Sequence, residues 1–200
     1  GYSVAISGDY AIVGAYGENQ KGSGAGAAYI FEHNGTWNQV QKLVANNGSS
    51  GDGFGWSVAI SGNYAIVGAY GEDSNADGTN QLGANSSGAA YIFERTNGSW
   101  PSISTITLKA SNAGDHDQFG QAVAISGNYA IVGAYLEDTS NDDSGAAYIF
   151  ERANGNWGTA ASGNYYNETQ ILKANDAGED DLFGMSVAIS GNYAIVGAGW

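Results

Sequence analysis

The seventeen-residue string FGWSVAISGNYAIVGAY, which starts at Phe54, returns at Phe119 as FGQAVAISGNYAIVGAY and at Phe183 as FGMSVAISGNYAIVGAG. GYSVAISGDYAIVGAY opens the chain at Gly1, so successive copies lie 54, 65 and 64 residues apart. Self-similarity at so long a period restricts the chain to solenoids, propellers and related arrays, because each unit can bury its apolar face only against its neighbours. The units run 1–53, 54–118, 119–182 and, in part, 183–200, and together make one repeat-built segment over 1–200.

Each unit reads as four strands. In the second copy, Ser57 to Ser61 alternates Val58 and Ile60 with small residues, the period of a strand in a crowded centre. Tyr64 to Tyr70 is apolar on both faces, as in a strand covered on both sides. Gly88 to Glu94 is the third strand and Ile106 to Ala110 the fourth. Only Gly62-Asn63 separates the first two, echoed by Gly8-Asp9, Gly127-Asn128 and Gly191-Asn192, which predicts a tight antiparallel hairpin. The third and fourth strands meet at Asn34-Gly35, Asn97-Gly98 or Asn154-Gly155, each followed by a tryptophan (Trp37, Trp100, Trp157) expected to pack on the outer strands. Four antiparallel strands per unit without helical periodicity predict an all-β chain of β-propeller blades, three and a half of them, with an open hairpin solenoid as the rival.

These residues resemble the FG-GAP repeat family, whose blades build integrin α-chain heads and many bacterial surface proteins. The two halves of the name stand here as Phe54-Gly55 with Gly68-Ala69, Phe119-Gly120 with Gly133-Ala134 and Phe183-Gly184 with Gly197-Ala198. Tyr16, Tyr70, Tyr135 and Gly199 stand where the family name has proline, which places the chain nearer the bacterial variant. The resemblance implies a piece of a larger propeller of about seven blades, secreted or displayed on a cell surface. Integrin-type blades hold calcium between the first two strands, but the two-residue turns here cannot supply six to eight oxygens, so that site is not carried over.

Charge then selects a face. Six Lys+Arg against 20 Asp+Glu give a net charge of −14, which opposes nucleic acid and anionic lipid. All the acids except Asp9, Glu32, Glu94, Glu151 and Glu168 fall in the loops between strands two and three or in the links between units. These segments share one end of an up-and-down blade. An acidic binding surface for a protein or glycan is therefore expected there, drawing on Glu72, Asp115, Asp117, Glu137, Asp138, Asp180 and Asp181. Within it, Asp73-Ser74-Asn75-Ala76-Asp77-Gly78 offers alternate oxygens to a hard cation, with Asp73, Asn75, Asp77 and Thr79 as weak calcium ligands. The usual bidentate carboxylate is missing, since Gln81 and Ala84 occupy the later ligand positions.

No catalytic constellation stands out. His33 takes the place of Arg95 and Arg152 beside a hairpin turn, and His116 lies between Asp115 and Asp117 with no nucleophile pattern near it. The chain is expected to be a non-enzymatic extracellular binding or adhesion module. A polysaccharide-acting propeller enzyme and a purely structural surface repeat are the alternatives. Trp56, just after the second Phe-Gly, has no evident scaffold role in the pattern.

Overall fold

The computed structural model describes residues 1–74, 85–138 and 143–199, and its described residues contain strands and turns but no helix. The first blade is the antiparallel sheet β1 (Val4–Ser7), β2 (Tyr10–Ala15), β3 (Ala27–His33) and β4 (Trp37–Leu43), in that order. The second repeats it with β5 (Ser57–Ser61), β6 (Tyr64–Ala69), β7 (Ala89–Glu94) and β8 (Ile106–Lys109). In the third, β9 (Ala122–Ser126), β10 (Tyr129–Ala134) and β11 (Ala146–Ala153) keep the pattern, and β16 (Ser186–Ser190) with β17 (Tyr193–Gly197) forms the last hairpin.

The predicted first hairpin is present in every unit. Ser61 pairs with Tyr64 across Gly62-Asn63, and Gly8, Gly62, Gly127 and Gly191 all sit at φ between 54° and 57°. Glycine at the first central position is what a two-residue II′ hairpin turn requires.

The outer strands are less regular than the repeat predicts, because the later units carry extra residues there. In the first blade β4 runs on directly from its turn. In the second, Thr96 and Ser99 bridge across Asn97-Gly98, and the chain then leaves the sheet so that Ile103 bridges Val44 of the first blade. In the third, β12 (Asn156–Trp157) is cut short and the hairpin of β13 (Thr159–Ser162) and β14 (Tyr165–Asn167) crosses to the second blade. There β14 adds parallel to β8, before β15 (Gln170–Leu172) returns to pair with β11. The unpaired edge of β8 thus acquires a partner from the following unit, which removes an exposed row of backbone donors and acceptors.

The cores lie between blades. One apolar cluster joins Ile12, Ile30 and Leu43 of the first blade to Val58, Ile60, Val67, Tyr91 and Phe93 of the second, and another joins the second to the third. Phe54 and Phe119 enter these clusters fully buried, Phe54 with its ring 5.4 Å from Tyr91 and 6.0 Å from Phe93. Burial of one such ring contributes roughly 1.5–3 kcal/mol, and each aromatic pair about 0.5–1.5 more.

Two of the tryptophans after the Asn-Gly turns, Trp100 and Trp157, reach across this same junction instead of packing within their own outer strands, while Trp37 stays exposed beside His33. Trp100 meets Tyr10 edge-on at 5.8 Å, and Trp157 meets Tyr64 at 5.5 Å. Arg95 lies over the Tyr10 ring at 4.4 Å and donates to its hydroxyl, while that hydroxyl donates to Glu32 at 2.5 Å. Arg152 repeats the placement over Tyr64 at 5.2 Å. Each tyrosine is thereby clasped by the Trp and Arg of the next unit.

Both glycines of the motif serve the junction backbone. A Cβ on Gly68 would lie 2.0 Å from the carbonyl oxygen of Gly120, and one on Gly14 equally close to that of Gly55. Ser57 Oγ of β5 donates to the same Gly120 carbonyl at 2.7 Å, so both inner strands of one blade meet the Phe-Gly of the next. Gly68→Ala is accordingly expected to cost about 3 kcal/mol or more by overpacking. Gly62→Ala, which meets only open space at φ 57°, should cost about 1–2 kcal/mol from its left-handed conformation. Urea midpoints of the two variants at constant m-value measure the difference.

Candidate functional site

At the end of the sheets holding the long loops, each of the first three repeats contributes a Lys–Glu pair, joined in the second and third by an asparagine and a tyrosine. In the second blade Lys109, from β8, is fully buried and its Nζ lies 2.8 Å from Glu72 Oε2, just after β6. The ammonium also donates to Ser87 Oγ at 2.9 Å and to the Gly88 carbonyl at 2.5 Å, so its three hydrogens have acceptors. Glu72 accepts in turn from Ser74 Oγ at 2.6 Å and from Asn47 Nδ2 at 2.8 Å. Asn47 belongs to the link from the first blade, and its Oδ1 accepts from Tyr91 of β7 at 2.8 Å. A buried ion pair therefore pins the incoming link to the blade it enters.

The third blade repeats the arrangement. Lys173 pairs with buried Glu137 at 2.7 Å, Asn112 donates to Glu137 at 2.7 Å, and Tyr148 donates to Asn112 at 3.1 Å. In the first blade Lys42 pairs with Glu18 at 3.0 Å, with the two side chains 27% and 24% exposed.

A second carboxylate stands two residues before each Phe-Gly. Asp52 accepts from Ser49 N at 2.7 Å, Asp117 from Gly114 N at 2.7 Å and Asp181 from Gly178 N at 2.6 Å, each closing the turn that aims the phenylalanine inward. Burial pushes Asp52 up to about 7, helped by Glu72 and Asp73 and opposed by the Ser49 N–H and Lys109. Burial likewise pushes Asp117 up to about 6, with Glu137 and Asp138 adding and the Gly114 N–H and Lys109 opposing. Desolvation pulls the Lys109 pKa down, and Glu72 pulls it back.

The acidic surface read from the sequence is divided by these contacts. Glu72, Asp117 and Glu137 are buried at 3%, 2% and 0% exposure and hold the scaffold together, so they are not surface groups. Asp73, Asp115, Asp138 and Asp180 are exposed, and Asp181 is half-buried. Of the calcium candidates, Asn75, Asp77 and Thr79 lie outside the described residues. Asp73 Oδ1 accepts from Ser86 N at 2.8 Å, while neighbouring Glu72 is committed to Lys109, Ser74 and Asn47. His116 is exposed, 3.9 Å from Asp115, and His33 is exposed beside Trp37 at 5.1 Å between rings. Glu18, Glu72 and Glu137, at the end of the second strand of their blades, read from the sequence as loop-face structure, but their partners in the repeating columns Lys42, Lys109, Lys173 and Tyr29, Tyr91, Tyr148 did not.

Lys109→Met leaves Glu72 buried without its counter-charge and is expected to cost about 3–5 kcal/mol. Lys42→Met, at a partly solvated pair, should cost about 1 kcal/mol or less. Chemical denaturation of both variants checks the contrast. The pH dependence has a definite sign: the folded-state pKa of Asp52 lies above its ordinary 3.8, so its contribution is full below about 4 and is lost as pH rises toward 7. Asp52→Asn keeps an acceptor for Ser49 N–H without that loss, so the Tm difference, variant minus parent, should grow more positive between pH 4 and pH 7.5.

The FG-GAP repeat model matches residues 1–31, 37–93, 104–150 and 166–200. A search of curated proteins finds no match. With the repeat matched in all four units, each carrying the predicted first hairpin, the chain belongs to the FG-GAP repeat family as a β-propeller repeat module.

Proposed function

We propose that this module is a non-enzymatic binding or adhesion element of an extracellular or cell-surface protein, and that it meets its partner on the long-loop end of the blades. The observation that carries this reading is the asymmetry of the two ends. One is closed by two-residue turns and short hairpins, while the other carries the interblade links and the exposed acids Asp73, Asp115, Asp138 and Asp180. Loops held on a rigid scaffold are where binding residues concentrate, and the buried Lys–Glu pairs supply that rigidity here. A weakly held calcium ion in the loop that begins at Asp73 belongs to the same proposal.

Immobilised chain screened against peptide and glycan arrays is expected to retain ligand without turnover. Loss of retention on Asp115→Asn combined with Asp138→Asn would support the long-loop end as the contact surface. Robust hydrolysis of a polysaccharide, abolished by one loop carboxylate, would replace this reading with an enzymatic one. For calcium, Tm followed from zero to tens of millimolar should rise with calcium more than with magnesium, as expected for a site with Kd around 10⁻⁴–10⁻³ M. Coincident curves would leave only charge screening.

A further inference from the structure

Two positions in each repeat bracket the inner strands at the long-loop end. The residue after Gly-Ala is Tyr16, Tyr70, Tyr135 and Gly199 in the four copies, and the residue after Phe-Gly, or after Gly1, is Tyr2, Trp56, Gln121 and Met185. Only the first two blades carry rings at both positions. Those four rings form a continuous row: Tyr2 lies 4.9 Å from Tyr16 and 4.5 Å from Trp56, Tyr16 lies 5.0 Å from Trp56, and Trp56 lies 4.6 Å from Tyr70.

The scaffold does not require this row. The third and fourth units form the same first hairpin with Gln121 and Met185 at the Trp56 position, and Gly184 keeps its bond to the Gly197 carbonyl with glycine at 199. Nor is the row an interior cluster: Trp56 and Tyr70, in a blade with a neighbour on each side, are half-buried. Surface rings that are gathered together and dispensable for folding mark a contact site.

Charge selects the ligand. The chain carries −14, and aromatic faces present negative quadrupole density, so a cationic group is attracted both by the field at a distance and by the rings at contact. The protein already uses that chemistry internally, with guanidinium groups over Tyr10 and Tyr64. We infer that the row Tyr2, Tyr16, Trp56 and Tyr70 is a docking site for an arginine-bearing peptide segment of a partner protein. This rests on the long-loop end being a contact surface, and adds the residues that read the partner and the partner's chemistry.

The test is calorimetric titration of the whole chain with a short peptide of alternating Arg and Gly, its Glu-for-Arg counterpart and a chito-oligosaccharide. Each is repeated on Trp56→Gln and on Tyr2→Gln, which install the residue that Gln121 supplies in the third unit. The Arg peptide is expected to bind, the Glu peptide not to, and Trp56→Gln to weaken binding roughly tenfold while the variant keeps a single cooperative melting transition. Equal affinity for the parent and both variants would overturn the inference in favour of diffuse charge attraction, leaving the long-loop end as a contact surface. Oligosaccharide binding abolished by Trp56→Gln, with no binding of the Arg peptide, would overturn it in favour of a sugar platform. Failure of the Arg peptide to bind at all also overturns it, whereas the broader reading falls if the arrays retain nothing or show turnover.

Discussion

Contact between the backbones of neighbouring blades at paired glycines is the constraint from which the rest of the structure follows. The Gly14 and Gly68 positions leave no room for a Cβ beside the carbonyls of Gly55 and Gly120. At that separation the inner strands can shed their side-chain bulk, and small residues alternate with Val and Ile along β1, β5, β9 and β16. The apolar surface then has to lie between the sheets. Phe54 and Phe119 fill the junctions, and Trp100 and Trp157 close them at the turn end. Each repeat is therefore stabilised mainly by what the next one presents to it, as in other quasi-one-dimensional folds.

The opposite end of each junction is closed by charge. A link of 12 or 13 residues must carry the chain from the outer strand of one blade to the inner strand of the next without exposing an apolar seam. The structure solves this with a buried Lys–Glu pair that takes the link asparagine as a third member, and with an aspartate that folds the last turn onto the phenylalanine. Burying an ion pair contributes little net stability compared with apolar packing, but losing one partner is costly, so such pairs favour a fixed link geometry. The aromatic row and the exposed carboxylates stand on this fixed base.

Much of the architecture was legible from the repeat. The Gly-Asn hairpins and the four-strand unit follow from local turn chemistry and alternation, and the first two blades have them where the pattern puts them. The outer edge was not legible. Nothing in residues 158–169 signals that β13 and β14 join the preceding blade, because a parallel pairing between distant segments leaves no local periodicity. The acids were misread for a related reason: topology assigned Glu72, Asp117 and Glu137 to the correct end of the sheet but could not tell an inward carboxylate from an outward one. The lysine at the same repeat position in β8, embedded in ITLKA, was the available sign, since a solitary cation in an apolar strand has to find an anion.

The central claim is that the Phe-Gly links couple the blades into one cooperative unit. Phe54 N–H bonds to the Ala25 carbonyl at 3.1 Å and Phe119 N–H to that of Ser87 at 3.0 Å, both across a junction. Native-state hydrogen exchange on these two amides tests the claim directly. The account predicts that they exchange only through global opening, with the same free energy as the central amides of β6 and β10. Exchange of Phe54 and Phe119 at the rate of the surrounding loops, while β6 and β10 stay protected, would show blades that open independently and would contradict it.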